Sequence, residues 1–428
     1  VTVSTSQKIP KHPKTKIADG SVQKTLEENG RLPPVTLVIS PIDTSRKPMV
    51  IEQFLSYQFN SSMIIPVDSF SFEFVAPDGP PVYNQIKEGD IVSLYANDVP
   101  LSVGIIDTIE VETEKEYGEK VHLTGRDMLG QLEDNSCVDI TTNPIYANAT
   151  SVVSAVKQLI QNTRIKRIRT QDVNPRADLL FATEPGESRL SALQRLLEPL
   201  NNIFWMGPNG DLVVGRPNMG QKPKGTLVCS REKRYSNVIS IKVARSCTNI
   251  PNIILPIWAG QENVQVAIGK EQALVNKAEG PRRLRKGGHI VQKTIVVSTP
   301  QATSPQGLSD VNLLTEAGGA NLLQAYAKME AARQNQKEVI VQILVPGHYN
   351  QDGSPYQVDQ VYQIEYDRGP INEKMYLFAV DYSMDDSGGQ RTRLEFCRLG
   401  TIVADIRNKD ANALLTAGEP GFSIETTA

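Results

Sequence analysis

The amino-acid sequence predicts a mainly β fold with an α/β insertion, and three observations carry that class. From Pro34 onward, Val35, Leu37 and Ile39 alternate with Thr36, Val38 and Ser40, and turn clusters such as Asp78-Gly79-Pro80-Pro81 punctuate the runs that follow. The middle of the chain changes period: leucines at 190, 193, 196, 197 and 200 sit at helical spacing, ahead of two short apolar runs split by Pro208-Asn209-Gly210-Asp211. The third observation is a faint internal repeat. Asp90-Ile-Val-Ser-Leu-Tyr is echoed by Asp359-Gln-Val-Tyr-Gln-Ile-Glu-Tyr, each followed by an apolar-Asp pair (Ile106-Asp107, Val380-Asp381) and a strand (Val121 to Leu123, Leu394 to Phe396). Two copies of one small barrel around the α/β region would give this pattern, and so would any two β-meanders.

Taken in order, residues 1–34 form an extended arm, polar and lysine-bearing, with Pro10 and Pro13 opposing helix. Such arms are disordered or become ordered on a neighbour. Residues 35–136 form the first β domain, with strands and hairpins to about residue 125. Residues 137–225 form the α/β domain. A helix over about 150–162, capped by Thr150 or Ser151, shows an apolar face of Val152, Val153, Val156, Leu159 and Ile160, and a second helix covers about 188–200. Residues 226–400 form the second β domain, with an inserted loop at 250–290 and a polar helix at 317–336. Residues 401–428 are a small, polar, weakly patterned tail.

Length and composition set the outer bounds. A chain of 428 residues exceeds one ordinary core and fits about two to four domains, although a single large barrel also fits. Hydrophobic content of 39% supports a core, and a net charge of -3 gives no bulk attraction to nucleic acid or anionic lipid. Cys137, Cys229, Cys247 and Cys397 are far apart, so neither a zinc motif nor a disulfide scaffold is indicated. No apolar run nears the roughly 20 residues that span a bilayer, and no secretion signal core is visible, so the expectation is no membrane insertion.

Candidate chemistry is sparse. The four histidines, His12, His122, His289 and His348, fall in no metalloprotease or Cys/His pattern, and no P-loop, G-x-S-x-G or G-x-G-x-x-G is present. Asp381, Asp385 and Asp386 lack EF-hand spacing and read as a solvated hairpin tip. Arg164, Lys166, Arg167 and Arg169 form one basic cluster, and Arg282, Arg283, Arg285 and Lys286 form another. Neither interleaves with aromatic residues, so both read as protein interfaces or solvated faces. Trp205 beside Phe204 reads as α/β core, and Trp258 in its Pro-flanked stretch as an interface residue. The expectation is no catalytic residue, no cofactor and no metal.

The most informative stretch is Val121 to Ser136. Val121 and Leu123 alternate as in a half-buried strand, Gly125 ends it, and Met128, Leu129 and Leu132 suit a helical turn. Arg126 and Asp127 sit at the corner, where a guanidinium and a carboxylate cross-tie the turn. Gly125-Arg126-Asp127, followed by Leu132, Asp134 and Ser136, resembles the Gly-Arg-Asp signature that closes the first barrel in Mu-type phage baseplate hub proteins. Leu190 to Gly215 resembles the middle domain of that family and of the related late control protein D. The loop from Ser383 to Gly389 leading into Arg393-Leu394-Glu395-Phe396 is similar to the family's last hairpin. The resemblance covers about residues 35 to 400, and the chain departs from it in its N-terminal arm and in the insertion around Ile250 to Arg285.

The resemblance implies two tube-like β-barrels per chain and a homotrimer that forms a pseudo-hexameric ring. Such a hub joins the hexameric tail tube, or a tube-initiator protein, to the trimeric central spike in the baseplate of a virion tail or tail-like particle. It contacts neighbouring baseplate proteins, encloses the channel for the tape-measure protein and for DNA in passage, and is assembled in the host cytoplasm. Two rivals stand beside this expectation: a tail-associated cell-wall hydrolase using an unrecognised carboxylate pair, and a receptor- or carbohydrate-binding tail module.

Overall fold

The computed structural model describes residues 35–76, 82–96, 98–114, 118–137, 152–173, 183, 186–197, 202–230, 236–245, 253–257, 274–276, 294–298, 339–369, 371–385, 389–399 and 422–424. The arm at 1–34, the helix expected at 317–336, Trp258, and Arg282, Arg283, Arg285 and Lys286 lie outside the described residues. Among the described residues, no helix is long and apolar enough to cross a membrane.

Seven strands build the first β unit: β1 (Val35–Ser40), β2 (Met49–Ile51), β3 (Ser56–Ser62), β4 (Ser69–Val75), β5 (Ile91–Ala96), β6 (Val99–Glu114) and β7 (Gly118–Asp127). Their alternation decides the faces. In β4, Phe70, Phe72 and Phe74 point into the core, while Ser69 and Val75 are exposed. The helix Val152–Leu159, β8 (Ile168–Gln171), the helix Arg189–Leu197, β9 (Ile203–Met206) and β10 (Leu212–Gly215) follow. Here β10 lies between β8, to which it is parallel, and β9, to which it is antiparallel. Both helices pack a leucine- and valine-rich face on this sheet, so the α/β segment has its own apolar cluster.

The second β unit comprises β11 (Thr226–Cys229) and β12 (Ser240–Arg245) and, after β13 (Ile253–Ile257), β14 (Leu274–Asn276) and β15 (Thr294–Ser298), the strands β16 (Val339–Pro346), β17 (Gln360–Tyr366), β18 (Ile371–Asp385) and β19 (Gly389–Arg398). The C-terminal stretch, expected to be a small, polar, weakly patterned tail, carries one short strand among its described residues, β20 (Phe422–Ile424), which pairs with β14. With β13 and β15 it makes a small separate sheet, ordered β15-β13-β14-β20. Its sequence gives little alternation because three residues complete the strand.

The internal repeat is visible in the strand order. The first unit runs β3-β4-β7-β6-β5-β1, and the second runs β12-β16-β19-β18-β17-β11. Both long strands carry a bulge at matching registers, between Ile106 and Thr108 of β6 against β7, and between Leu377 and Ala379 of β18 against β19. These bulges align Asp107 with Phe378. The sequence reading instead matched Ile106-Asp107 to Val380-Asp381, whose counterpart in the strand register is Ile109-Glu110; an apolar-acidic pair recurs three residues along β6, so the pattern alone did not fix the frame. The units differ at one edge, where β1 is antiparallel to β5 but β11 is parallel to β17.

The two units are separated by the α/β segment in sequence but touch in space. Strand β3 pairs antiparallel with β18, from Tyr57 opposite Met384 to Ser62 opposite Ala379. This joint makes one sheet of thirteen strands among the described residues, and one apolar cluster runs through both units. Phe59 stacks on Tyr382 across the joint, with ring centroids 5.8 Å apart and planes at 13°.

Candidate functional site

The corner at residues 125–134 begins inside β7. Gly125 does not end the strand, since pairing continues through Arg126 to β4 and through Asp127 to β6. The glycine is needed for space: a Cβ there would lie 2.1 Å from the Ile105 carbonyl oxygen and 2.3 Å from Phe70 Cζ. Gly104 on β6 is equally tight, with a Cβ falling 2.6 Å from Phe70 Cε1. Two side-chain-free positions therefore let the Phe70 ring lie flat on the sheet.

Arg126 does not tie to Asp127, as the corner in the sequence suggested, because adjacent strand residues face opposite sides. Its guanidinium lies between two other carboxylates. Nε donates to Asp107 Oδ2 at 2.7 Å, and Nη2 donates to Asp134 Oδ2 at 2.7 Å. Further bonds reach Asp107 Oδ1 (3.2 Å), Asp134 Oδ1 (3.1 Å) and Glu133 Oε2 (3.3 Å). These bonds to Asp107 and Asp134 hold the Arg126 pKa above its ordinary value. The β6 bulge is what presents Asp107, so a defect in one ladder supplies the ligand for a side chain on the next.

Asp127 turns inward and is buried. Its Oδ1 accepts the Leu129 N–H at 2.9 Å, fixing the turn into the helix Gly130–Asp134, while Oδ2 is buried with no hydrogen bond. Its own N–H donates to the carbonyl of Asp68, another buried carboxylic acid. Burial pushes Asp127 up to about 7, and burial together with the neighbouring Asp127 pushes Asp68 up. Beyond the turn, Met128, Leu129 and Leu132 enter the apolar cluster of the α/β segment. Gly125, Arg126, Asp127, Leu132 and Asp134 thus form one corner, at which the chain leaves the β core for the α/β core.

A second buried network lies at the joint of the two units. His348, fully buried, sits between the Tyr57 hydroxyl (2.6 Å from Nε2) and the Thr392 hydroxyl (2.8 Å from Nδ1). Burial lowers its pKa to about 3, which keeps the ring neutral. A third network surrounds a cleft of about 200 Å³ where the α/β segment meets both β units. Asp359, the one carboxylate among its lining residues, accepts from Tyr376 (2.5 Å), Gln171 (2.7 Å) and the Asn218 N–H (2.8 Å). Those three donors make Asp359 a structural clasp. Trp205 is buried beside Met63, Val361 and Tyr376, so it belongs to the contact between the segment and the β units as well as to the α/β sheet.

Other sequence candidates are tied into the fold. Arg164 donates to the Gly89 carbonyl, and Arg169 pairs with Asp211. Asp381 lies within β18, where it accepts from Gln58 and pairs with Arg393. Among the described residues no cluster of His, Cys, Asp or Glu is arranged to hold a metal ion. Sequence reasoning missed Asp107, Asp68 and Tyr57 as partners. Each lies far along the chain from its contact, and only the apolar-Asp pair at 106–107 gave a local signal.

No protein-family model matches the chain, and no curated protein is similar to it. Solved structures do match. A tail protein from Neisseria meningitidis MC58 superimposes with a TM-score of 0.65 at 20% identity, over 86% of this chain and 96% of that one. The 43 kDa tail protein of prophage MuSo2 from Shewanella oneidensis gives 0.64 at 14% identity, over 86% and 99%. The chain shares the fold of these two tail proteins. That fold is mostly β, with strands paired mainly antiparallel. Its corner, joint and cleft hold the β units and the α/β segment in place.

Proposed function

We propose that this protein is a structural baseplate hub, a homotrimer that presents six similar β units in a ring. One face of that ring receives the hexameric tail tube or its initiator, and the other receives the trimeric central spike. The bore passes the tape-measure protein and then DNA. One observation carries the reading: a single chain holds the same strand order twice, joined edge to edge through β3 and β18. Two units per chain are what a threefold assembly needs to meet a sixfold tube. The shared fold with two phage tail proteins supports the same reading.

An adaptor of this kind works by surface complementarity, and the hydrogen-bonded clasps around Arg126, His348 and Asp359 suit a rigid scaffold. The test is the mass and shape of the purified chain. Sedimentation equilibrium at micromolar concentration is expected to give three protomers, and negative-stain images are expected to show a ring with an axial hole. A folded protein that stays at protomer mass throughout would overturn the reading.

A further inference from the structure

The two repeats differ in how their long strands are flanked. In the second unit, the outer half of β18, beyond its bulge, has two partners: β19 on one side and β3 of the first unit on the other. In the first unit, the matching outer half of β6 has only β7, and its other edge is unpaired among the described residues. At the far end of the sheet, β12 occupies the place in the second unit that β3 occupies in the first. It pairs with β16 alone, and its outer edge is also unpaired among the described residues. One joint is made within the chain, and both halves of a second joint are unpaired among the described residues.

We propose that the outer half of β6 pairs antiparallel with β12 of a second copy, repeating between chains the β3–β18 joint made within one. This inference rests on the ring-forming reading above and names the surface that closes the ring. The existing joint fixes its register. Tyr57 and Phe59 lie opposite Phe72 and Phe70 as Ile241 and Val243 lie opposite Ile343 and Val341. Transferring the β3–β18 register then sets Val111 opposite Val243, Glu112 opposite Lys242 and Glu110 opposite Ala244 of the second copy.

The side chains at those positions are complementary. Glu110 and Glu112 are exposed on one face of β6, and Lys242 is exposed on β12. In the transferred register Lys242 faces Glu112 directly and Glu110 diagonally. The diagonal has a precedent within the chain, where Gln58, the counterpart of Lys242, donates to Asp381, the counterpart of Glu110. On the opposite face, Val111, Ile241 and Val243 are only partly buried, flanking the common core. They correspond to Tyr382, Tyr57 and Phe59, which the finished joint buries almost completely.

Two measurements on the full-length chain test the joint. In the first, Glu112→Cys and Lys242→Cys are introduced together and mildly oxidised; chains linked in series, absent from either single variant, are expected. In the second, Glu112→Lys or Lys242→Glu alone is expected to weaken association about tenfold or more through like-charge contact, and the two together are expected to restore it. A wild type that forms the ring, with a double-cysteine variant that does not link between chains, would overturn this joint and leave the hub reading standing. A wild type at protomer mass would sink both.

Discussion

Tyr57 and His348, 291 positions apart in the chain, share a 2.6 Å hydrogen bond at the joint between the two β units. The proton positions follow from the neighbours. Thr392 donates its hydroxyl to the Gly347 carbonyl at 2.6 Å, so toward His348 it accepts, and Nδ1 carries the ring proton. Nε2 is then the acceptor for the Tyr57 hydroxyl. Burial raises the Tyr57 pKa, which keeps its proton available to donate. A neutral histidine in a single tautomer satisfies all three residues, and protonating it would leave two donors facing each other.

This arrangement makes the joint acid-sensitive. The folded pKa of about 3 lies below the ordinary 6.5, so the unfolded chain binds a proton over a range where the folded one does not. The contribution is whole above about pH 6.5 and shrinks as pH falls toward 3. Between pH 7 and 5 it amounts to about 2 kcal/mol. Urea unfolding followed by tryptophan fluorescence is expected to show that going from pH 7 to 5 is less favourable for wild type than for His348→Gln by about that amount. Equal changes in the two proteins would remove His348 from the account.

Arg126 is a different case, because its partners are partly exposed. Its side chain is 30% exposed, and those of Asp107 and Asp134 are 37% and 59% exposed. Arg126→Ala is expected to destabilise the fold by about 1–2 kcal/mol, a network value above that of an isolated surface pair. Arg126→Lys is expected to recover less than half of this, since an ammonium cannot face two carboxylates with paired donors. The loss is expected to shrink in 1 M salt. A salt-independent loss would show that the stem packing on Gly130, not the charge, is what matters.

Local patterns exposed much of this fold, and long-range pairing hid the rest. The Val35, Leu37 and Ile39 strand, the leucine helix and the Asn209-Gly210 turn all follow from spacing within a few residues. The corner was legible as a corner, but the partners of Arg126 were not. Asp107 reaches it through a bulge 19 residues earlier, and nothing in the sequence marks where a bulge falls. The β3–β18 joint was hidden for the same reason: either strand alone reads as an ordinary half-buried strand, and each had several equally plausible neighbours.

Gly125 is where packing leaves least room. Gly125→Ala would place a methyl group against both Phe70 and the Ile105 carbonyl, so either the ladder or the ring must move. A loss of about 3 kcal/mol is expected, at the upper end for overpacking. Adding Phe70→Leu is expected to relieve only part of it, because the backbone oxygen remains. Thermal melts of the single and double variants measure this, and full recovery in the double variant would show that the ladder tolerates the methyl.

Asp127 is expected to tilt the pH profile in the opposite sense to His348. Its folded pKa of about 7 lies above the ordinary 3.8, so between those values the folded state holds a proton that the unfolded chain has lost. Its contribution is largest at low pH and is lost as pH rises from about 4 through 7. The two buried groups oppose each other over that range, which flattens the wild-type profile. Asp127→Asn keeps the acceptor for the Leu129 N–H and cannot ionise, so from pH 5 to 7 its stability is expected to move upward relative to wild type, with Asp68 buried in both, while that of His348→Gln moves downward relative to wild type. Urea midpoints for the three proteins at the two pH values decide the matter. Parallel shifts in both variants would mean that neither buried group titrates as its surroundings dictate.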